Sequence, residues 1–165
     1  MATKTLIILR HAKSSWKTPE ADIRRPLSDR GQRDAEAAGA ILASYPLDVV
    51  LCSDATRARQ TWEQAVAGGA RCDDVRYSEA VYHAWPEELL GELRELDDAV
   101  DSAMVIGHQP TLSDLIVEIA KPSKKAAAVQ ERFPTCSLVV LSITGSWRKL
   151  GKGKASIKRF EIPRG

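Results

Sequence analysis

Four side chains stand out for the chemistry they could do together. Arg10 and His11 follow directly on the apolar run TLIIL at residues 5–9. Arg57 comes one helical turn after DVVLCS at 48–53, and His108 follows AMVIG at 103–107. Two guanidiniums and two imidazoles with no carboxylate among them form a site for an anion. Arginine stays charged, and its planar fork matches two phosphate oxygens at once. A unit-charge pair at about 4 Å is worth about 4 kcal/mol at an effective dielectric near 20, and phosphate bears nearly two charges. Ser53 is expected to start a helix whose N–H groups and dipole add to the same field. The histidines bring nucleophilic catalysis. Free imidazole has a pKa of about 6.5. Nearby arginines lower it, so His11 is neutral at pH 7 and can attack phosphorus through one ring nitrogen. The other nitrogen must then donate to a backbone carbonyl, which the loop around Gly31 is expected to bring close. His108 is expected to donate to a nonbridging oxygen.

These groups meet only if the elements carrying them are neighbours. TLIIL, DVVLC and AMVIG are short, apolar and rich in β-branched residues, which reads as buried strands. Residues 73–77 read as a weaker strand, and 137–143 with 155–161 as a closing hairpin around a basic turn. Between them lie helical patterns. One has Ser28 as N-cap and carries Ala35, Ala38, Ile41 and Leu42; Pro46 follows it. Another, capped by Ser53 or Asp54, carries Ala58, Thr61, Trp62, Ala65 and Val66 and stops at Gly68-Gly69. A third opens at Pro86 with Leu89, Leu90, Leu93 and Leu96 on one side, and a fourth runs from Pro110 to about Ala120. Alternating strands and helices predict a three-layer α/β/α sandwich, its sheet mostly parallel with an antiparallel edge. Ligands bind such sheets beyond the carboxyl ends of the strands, where Arg10, His11, Arg57 and His108 all fall.

The totals are consistent with one domain over residues 1–165. A chain of this length buries about 70% of its unfolded surface, enough for a core without staples. Hydrophobic residues make up 44% and charged residues 28%, and the net charge of +2 is too small to argue for nucleic acid. The basic stretch 145–159 reads as a solvated hairpin, or as an attractor for an anionic substrate. Cys52, Cys72 and Cys136 show no zinc or redox spacing, and Cys52 and Cys136 read as core residues. The initial apolar run is too short for a signal peptide, and no segment approaches a membrane span, so a cytoplasmic protein is expected. GSWRKLGKGK lacks the Lys-Ser/Thr ending of a nucleotide-binding phosphate loop. His11, His83 and His108 have no carboxylate or thiolate partners, and two arginines beside them repel a cation, so neither metal nor cofactor is expected.

The motifs LRHAKSSW, RRPLSDRGQRDA, CSDATRARQT and GHQP occur in an order and spacing that resemble the histidine phosphatase superfamily. That family is marked by an Arg-His-Gly signature at the first strand end; here Ala12 replaces the glycine. The short chain, with no large inserted cap, looks like the small SixA-like branch, whose members remove phosphate from phosphohistidine in signalling proteins. The resemblance implies a phosphoglycerate mutase-like fold. It makes His11 the nucleophile and adds Arg10, Arg57 and His108 as the phosphate pocket. It places Ser14 and Lys17 where relatives touch phosphate, Lys17 being a departure, and offers Arg25 as a further substrate contact. Larger relatives carry an acid after the third strand or beside the second histidine. Gln109 removes the second option, leaving Glu79 and, behind it, Asp22 as candidate proton donors. With no acid at all, good leaving groups such as imidazole are favoured.

Four neighbours remain open. His83 is a rim or packed polar residue, Trp16 lines the mouth or anchors a loop, and Arg59 and Lys13 face solvent. The expected activity is hydrolysis of a phosphomonoester or phosphoramidate, with a phosphorylated protein or a small phosphorylated substrate as partner. The alternatives are a phosphate-recognition module without turnover and a mutase. Neither a nucleic-acid nor a membrane partner is expected, and the oligomeric state stays open.

Overall fold

The structure, a computed structural model, describes residues 3–165. Met1 and Ala2, part of the span expected as one domain, lie outside the described residues. Six strands form one sheet: β1 (Thr3–Arg10), β2 (Val49–Ser53), β3 (Val75–Ser78), β4 (Ser102–Gly107), β5 (Leu138–Thr144) and β6 (Ala155–Glu161). Their order is β3-β2-β4-β1-β5-β6. The first four of these are mutually parallel, whereas β5 runs antiparallel to both β1 and β6. β4 therefore sits between β1 and β2, and the three strands whose ends carry Arg10, Ser53 and Gly107 are adjacent. Arg10 lies opposite Gly107 in the β1–β4 register.

Alternation along the strands divides the core in two. Leu6, Ile8, Ala103, Val105, Val139 and Leu141 face one layer, and Ile7, Leu9, Met104, Ile106, Leu138 and Val140 face the other. The first layer is covered by α4 (Pro86–Arg94), α5 (Thr111–Ile119) and α6 (Lys124–Glu131), through Leu89, Leu93, Leu115, Ile116 and Val129. The second is covered by α1 (Asp29–Leu42) and α2 (Thr56–Gly68), through Ala35, Ala38, Leu42, Ala58 and Trp62. Helix α3 (Glu79–His83) is a short addition after β3. The expected three-layer sandwich forms, with an antiparallel edge of two strands. Cys52 and Cys136 are buried in the second core, as their apolar settings suggested.

Local differences from the sequence reading have physical causes. Ser28 caps α1 as expected, its hydroxyl accepting the Gly31 N–H. Ser53 caps nothing: α2 starts at Thr56 behind Ala55, and Ser53 remains the last residue of β2. Helices α3 and α6 were not legible, being about two turns or less with little apolar periodicity. The basic segment is more than a solvated hairpin. It holds the fully buried Trp147, whose indole N–H donates to the Val100 carbonyl at 2.8 Å.

Gly31 does approach the loop after β1, though for a structural purpose. A Cβ there would lie 2.1 Å from the Lys13 carbonyl oxygen. That oxygen accepts from both the backbone and the hydroxyl of Ser28. The start of α1 is thus seated directly on the loop that follows His11. No helix among the described residues is long and apolar enough to cross a membrane.

Candidate active site

Beyond the ends of β1, β2 and β4 lies an open cavity of about 280 Å³. Its walls include Arg10, His11, Ser14, Arg25, Arg57 and His108, with Trp16, Lys13, Gln109 and Thr135 at its margins. Among the described residues no carboxylate is part of this wall, although Asp22 stands behind it on Arg25 and Arg57. Each cation comes from a different element. The Arg10 backbone N–H donates to Ser137, and its side chain donates to the Phe133 carbonyl at 3.0 Å. Arg57 reaches up from the first turn of α2, and Arg25 from the chain between the short turn at Asp22–Arg24 and Ser28. Arg57 and Arg25 are almost fully buried, and the Nε atoms of Arg10, Arg25 and Arg57 have no partner within the protein.

His11 is held in one ring orientation. Its Nδ1 lies 2.7 Å from the Ala12 carbonyl oxygen. A carbonyl only accepts, so Nδ1 carries the proton and Nε2 keeps a free lone pair. The Ala12 backbone is itself fixed: its N–H donates to Thr61 Oγ1 at 3.0 Å, and the Thr61 hydroxyl donates to the Arg57 carbonyl at 2.7 Å. The carbonyl expected from the Gly31 region therefore comes from the residue next to His11. Thr61, readable only as a helix-face residue, ties the loop after His11 to the helix that carries Arg57. Burial pushes the His11 pKa down to about 3; the Ala12 contact works against this, and repulsion from His108, Arg57 and Arg10 adds to the lowering.

His108 stands beside it, the two ring centres 5.1 Å apart. Its Nε2 lies 2.6 Å from Ser53 Oγ and its Nδ1 3.5 Å from Arg57 Nη2. Burial first, and Arg57 second, lower its pKa to about 4. Both rings are therefore neutral at pH 7 until an anion enters.

The folded histidines refuse protons that the unfolded chain accepts, because their pKa values fall from 6.5 to about 3 and about 4. Where the unfolded state binds more protons, stability rises with pH. Stability is therefore expected to drop as pH falls from 6.5 towards 4. Asp22 acts lower: its pKa falls from 3.8 to about 2, so its contribution is lost only below 3.8. Urea midpoints measured across pH 7 to 4 should decline, and the double substitution His11→Gln, His108→Gln should flatten that decline. An unchanged slope would contradict the neutral-ring assignment.

Asp22 has a role that the sequence did not reveal. Arg57 donates to its backbone oxygen at 2.7 Å and to Oδ2 at 3.1 Å. Arg25 donates to Oδ1 at 3.1 Å, and the Tyr82 hydroxyl donates to Oδ2 at 2.6 Å. The Tyr82 bond, with Arg25 and Arg57 behind it, holds the carboxyl ionised. Asp22 is thus corrected from candidate proton donor to an anchor for two guanidiniums. Tyr82 also sets its ring edge against His108, the centres 5.3 Å apart.

Of the expected site residues, Arg10, His11, Ser14, Arg25, Arg57 and His108 converge. Ser14 Oγ accepts from Arg25 at 2.5 Å. Lys17 and Glu79 are not part of the cavity wall. Lys17 is exposed in a neighbouring groove, because the chain turns away after Trp16. Glu79 is exposed on α3, 3.7 Å from His83, because that helix turns Val81 inward and Glu79 to solvent. Trp16 is 78% exposed and covers the Arg25 guanidinium at 3.6 Å, so it serves mouth and anchor together. Lys13 is exposed at the rim, and His83 stacks edge-on against Tyr82 outside the cavity. Arg59 faces away, paired with Asp54 and lying over Tyr77.

Residues 6–81 match the family model of the histidine phosphatase superfamily (branch 1). An uncharacterized protein of Mycobacterium tuberculosis is 41% identical over 162 residues, spanning 94% of this chain and 100% of that protein. A structure from Nakamurella multipartitia, provisionally assigned as the phosphohistidine phosphatase SixA, superposes with a TM-score of 0.86. It is 32% identical, over 99% of this chain and 98% of that one. The protein histidine phosphatase SixA with tungstate bound shares the fold at a TM-score of 0.80 and 19% identity, over 96% of this chain and 97% of that one.

Proposed function

Because this chain belongs to the histidine phosphatase superfamily, we propose that it hydrolyses phosphohistidine, carrying the phosphoryl group on His11 without a metal ion. The observation that carries the reading is a cavity that combines buried guanidiniums, an imidazole Nε2 free to attack and, among the described residues, no carboxylate in its wall. The 32% identical Nakamurella chain, assigned to phosphohistidine, adds support for the substrate.

The steps follow from the geometry. Arg10, Arg57 and His108 hold the nonbridging oxygens, where charge concentrates in a loose phosphoryl-transfer transition state. His11 Nε2 bonds to phosphorus as the bond to the leaving nitrogen breaks. The Ala12 carbonyl stabilises the cationic phosphoimidazole that results, through Nδ1–H. Water then attacks phosphorus, phosphate leaves and His11 regains its lone pair. An alkoxide leaving group needs a proton from an enzyme acid. Glu79 lies outside the cavity and Asp22 is held ionised. A phosphohistidine leaving group has a second ring nitrogen that takes a proton from solvent near neutrality, so it departs without help.

The test is phosphate release from a phosphohistidine peptide and from a chromogenic phosphate ester, both with chelator present. Release is expected from both, with kcat/KM for the peptide at least about 100-fold higher, the usual size of a general-acid contribution. Binding of the peptide without release would favour a recognition module, and equal rates would remove the argument from the missing acid.

A further inference from the structure

We propose that Ser53 is a positioning residue for His108: its hydroxyl fixes which ring nitrogen meets the phosphoryl group and accepts the N–H of the imidazolium that binds it. The inference rests on the phosphatase reading for its kinetic consequence only; the tautomer assignment stands on geometry. Arg57 can only donate, so its 3.5 Å contact makes His108 Nδ1 the acceptor. In the neutral ring the proton must then be on Nε2, 2.6 Å from Ser53 Oγ. Ser53 is fully buried, and its oxygen also accepts the Ala55 N–H at 3.2 Å, which holds the hydroxyl in place. With the proton on Nε2 the serine is the acceptor, and the single in-plane lone pair of the neutral ring is on Nδ1, the nitrogen that lies towards Arg57.

Substrate binding changes this arrangement at Nδ1, where the hydrogen bond from Arg57 is given up. A phosphate oxygen cannot donate to Nδ1 when fully ionised, so Nδ1 must gain a proton, taken from solvent or from a monoanionic phosphoryl group. The ring then has two N–H groups, one directed at phosphate and one already accepted by Ser53. The other charged or titratable groups facing His108 are Arg10 and His11 from the end of β1, Asp22 from the turn before Arg25, Arg57 from α2 and Tyr82 from α3. Arg10 and Arg57 oppose the added charge and Asp22 supports it. None of them accepts at Nε2. Without Ser53 the imidazolium would hold a buried N–H with no acceptor in the protein, and binding of the dianion would weaken accordingly.

The experiment is 15N NMR of the His108 ring in the full chain, alone and with orthovanadate, for wild type, Ser53→Ala and Ser53→Thr. Wild type should show the Nε2–H tautomer alone and both nitrogens protonated with vanadate. Ser53→Ala should admit the Nδ1–H tautomer and weaken vanadate binding about 10- to 100-fold. Its kcat/KM should fall in parallel, with the alkaline limb of the pH profile moved to lower pH. Ser53→Thr, which keeps the hydroxyl, should restore the tautomer. An Nδ1–H tautomer in the wild-type chain overturns the proposal even if every variant misfolds. So does a Ser53→Ala chain with unchanged tautomer and vanadate affinity. Correct tautomers in a wild-type chain that releases no phosphate support the Ser53 assignment and count against the phosphatase reading alone.

Discussion

His11→Ala is expected to lower phosphate release by at least about 10⁴-fold, the scale on which removing a nucleophile acts. Nothing else in the cavity can replace it. His108 has both ring nitrogens engaged, by Ser53 and Arg57, whereas His11 keeps Nε2 free. The three arginines never lose their charge and so cannot attack. Binding should survive far better than turnover, because Arg10, Arg57 and His108 remain to hold the anion. Two measurements separate these effects. Rapid quenching of the wild-type chain with a radiolabelled phosphohistidine peptide should trap an acid-labile, alkali-stable adduct on the protein, and the variant should trap none. Vanadate titration of the variant should still saturate. An adduct on the alanine variant would move the nucleophile elsewhere and remove the basis of the mechanism.

Arg57→Ala is expected to cost about 10²- to 10³-fold in kcat/KM, the range for one preorganised donor at developing charge. Arg57→Lys should recover less than about tenfold of this. The side chain serves three partners through its planar fork: the Asp22 backbone oxygen, Asp22 Oδ2 and His108 Nδ1. An ammonium has the charge but not the fork, so it cannot hold both Asp22 oxygens while meeting a phosphate oxygen. The loss should appear in kcat as well as KM, since the charge it meets grows during transfer. A lysine variant with near-normal kcat would mean that only the net charge matters, and the fork geometry would be irrelevant.

The sheet and the four convergent groups were legible because they depend on short-range signals. Apolar runs end at Arg10, Ser53 and Gly107, and alternation with helices dictates that those ends share an edge. The rest of the site depends on contacts between residues far apart in sequence. Tyr82 meets Asp22 across 60 positions and His108 meets Ser53 across 55. No periodicity marks such pairs. Ser53 followed by Asp54 resembled a helix cap because serine before a helical pattern usually is one. Its hydroxyl instead serves a neighbouring strand's histidine, and a strand order was needed to see that. Lys17 and Glu79 were read from their place along the chain, which fixes distance from the nucleophile but not direction. A turn after Trp16 and one turn of helix after Ser78 point both into solvent.

The grip of Asp22 on Arg57 and Arg25 has a consequence for the empty resting enzyme. A bare trio of guanidiniums would be a trap for any small anion in the surrounding fluid, including the released product. A carboxylate already clasping two of the three compensates much of that field, so free inorganic phosphate gains less on entering. A phosphoryl group still joined to a partner brings further contacts of its own. Weak inhibition by released phosphate is therefore expected, through an acidic side chain that takes no part in the proposed bond-breaking.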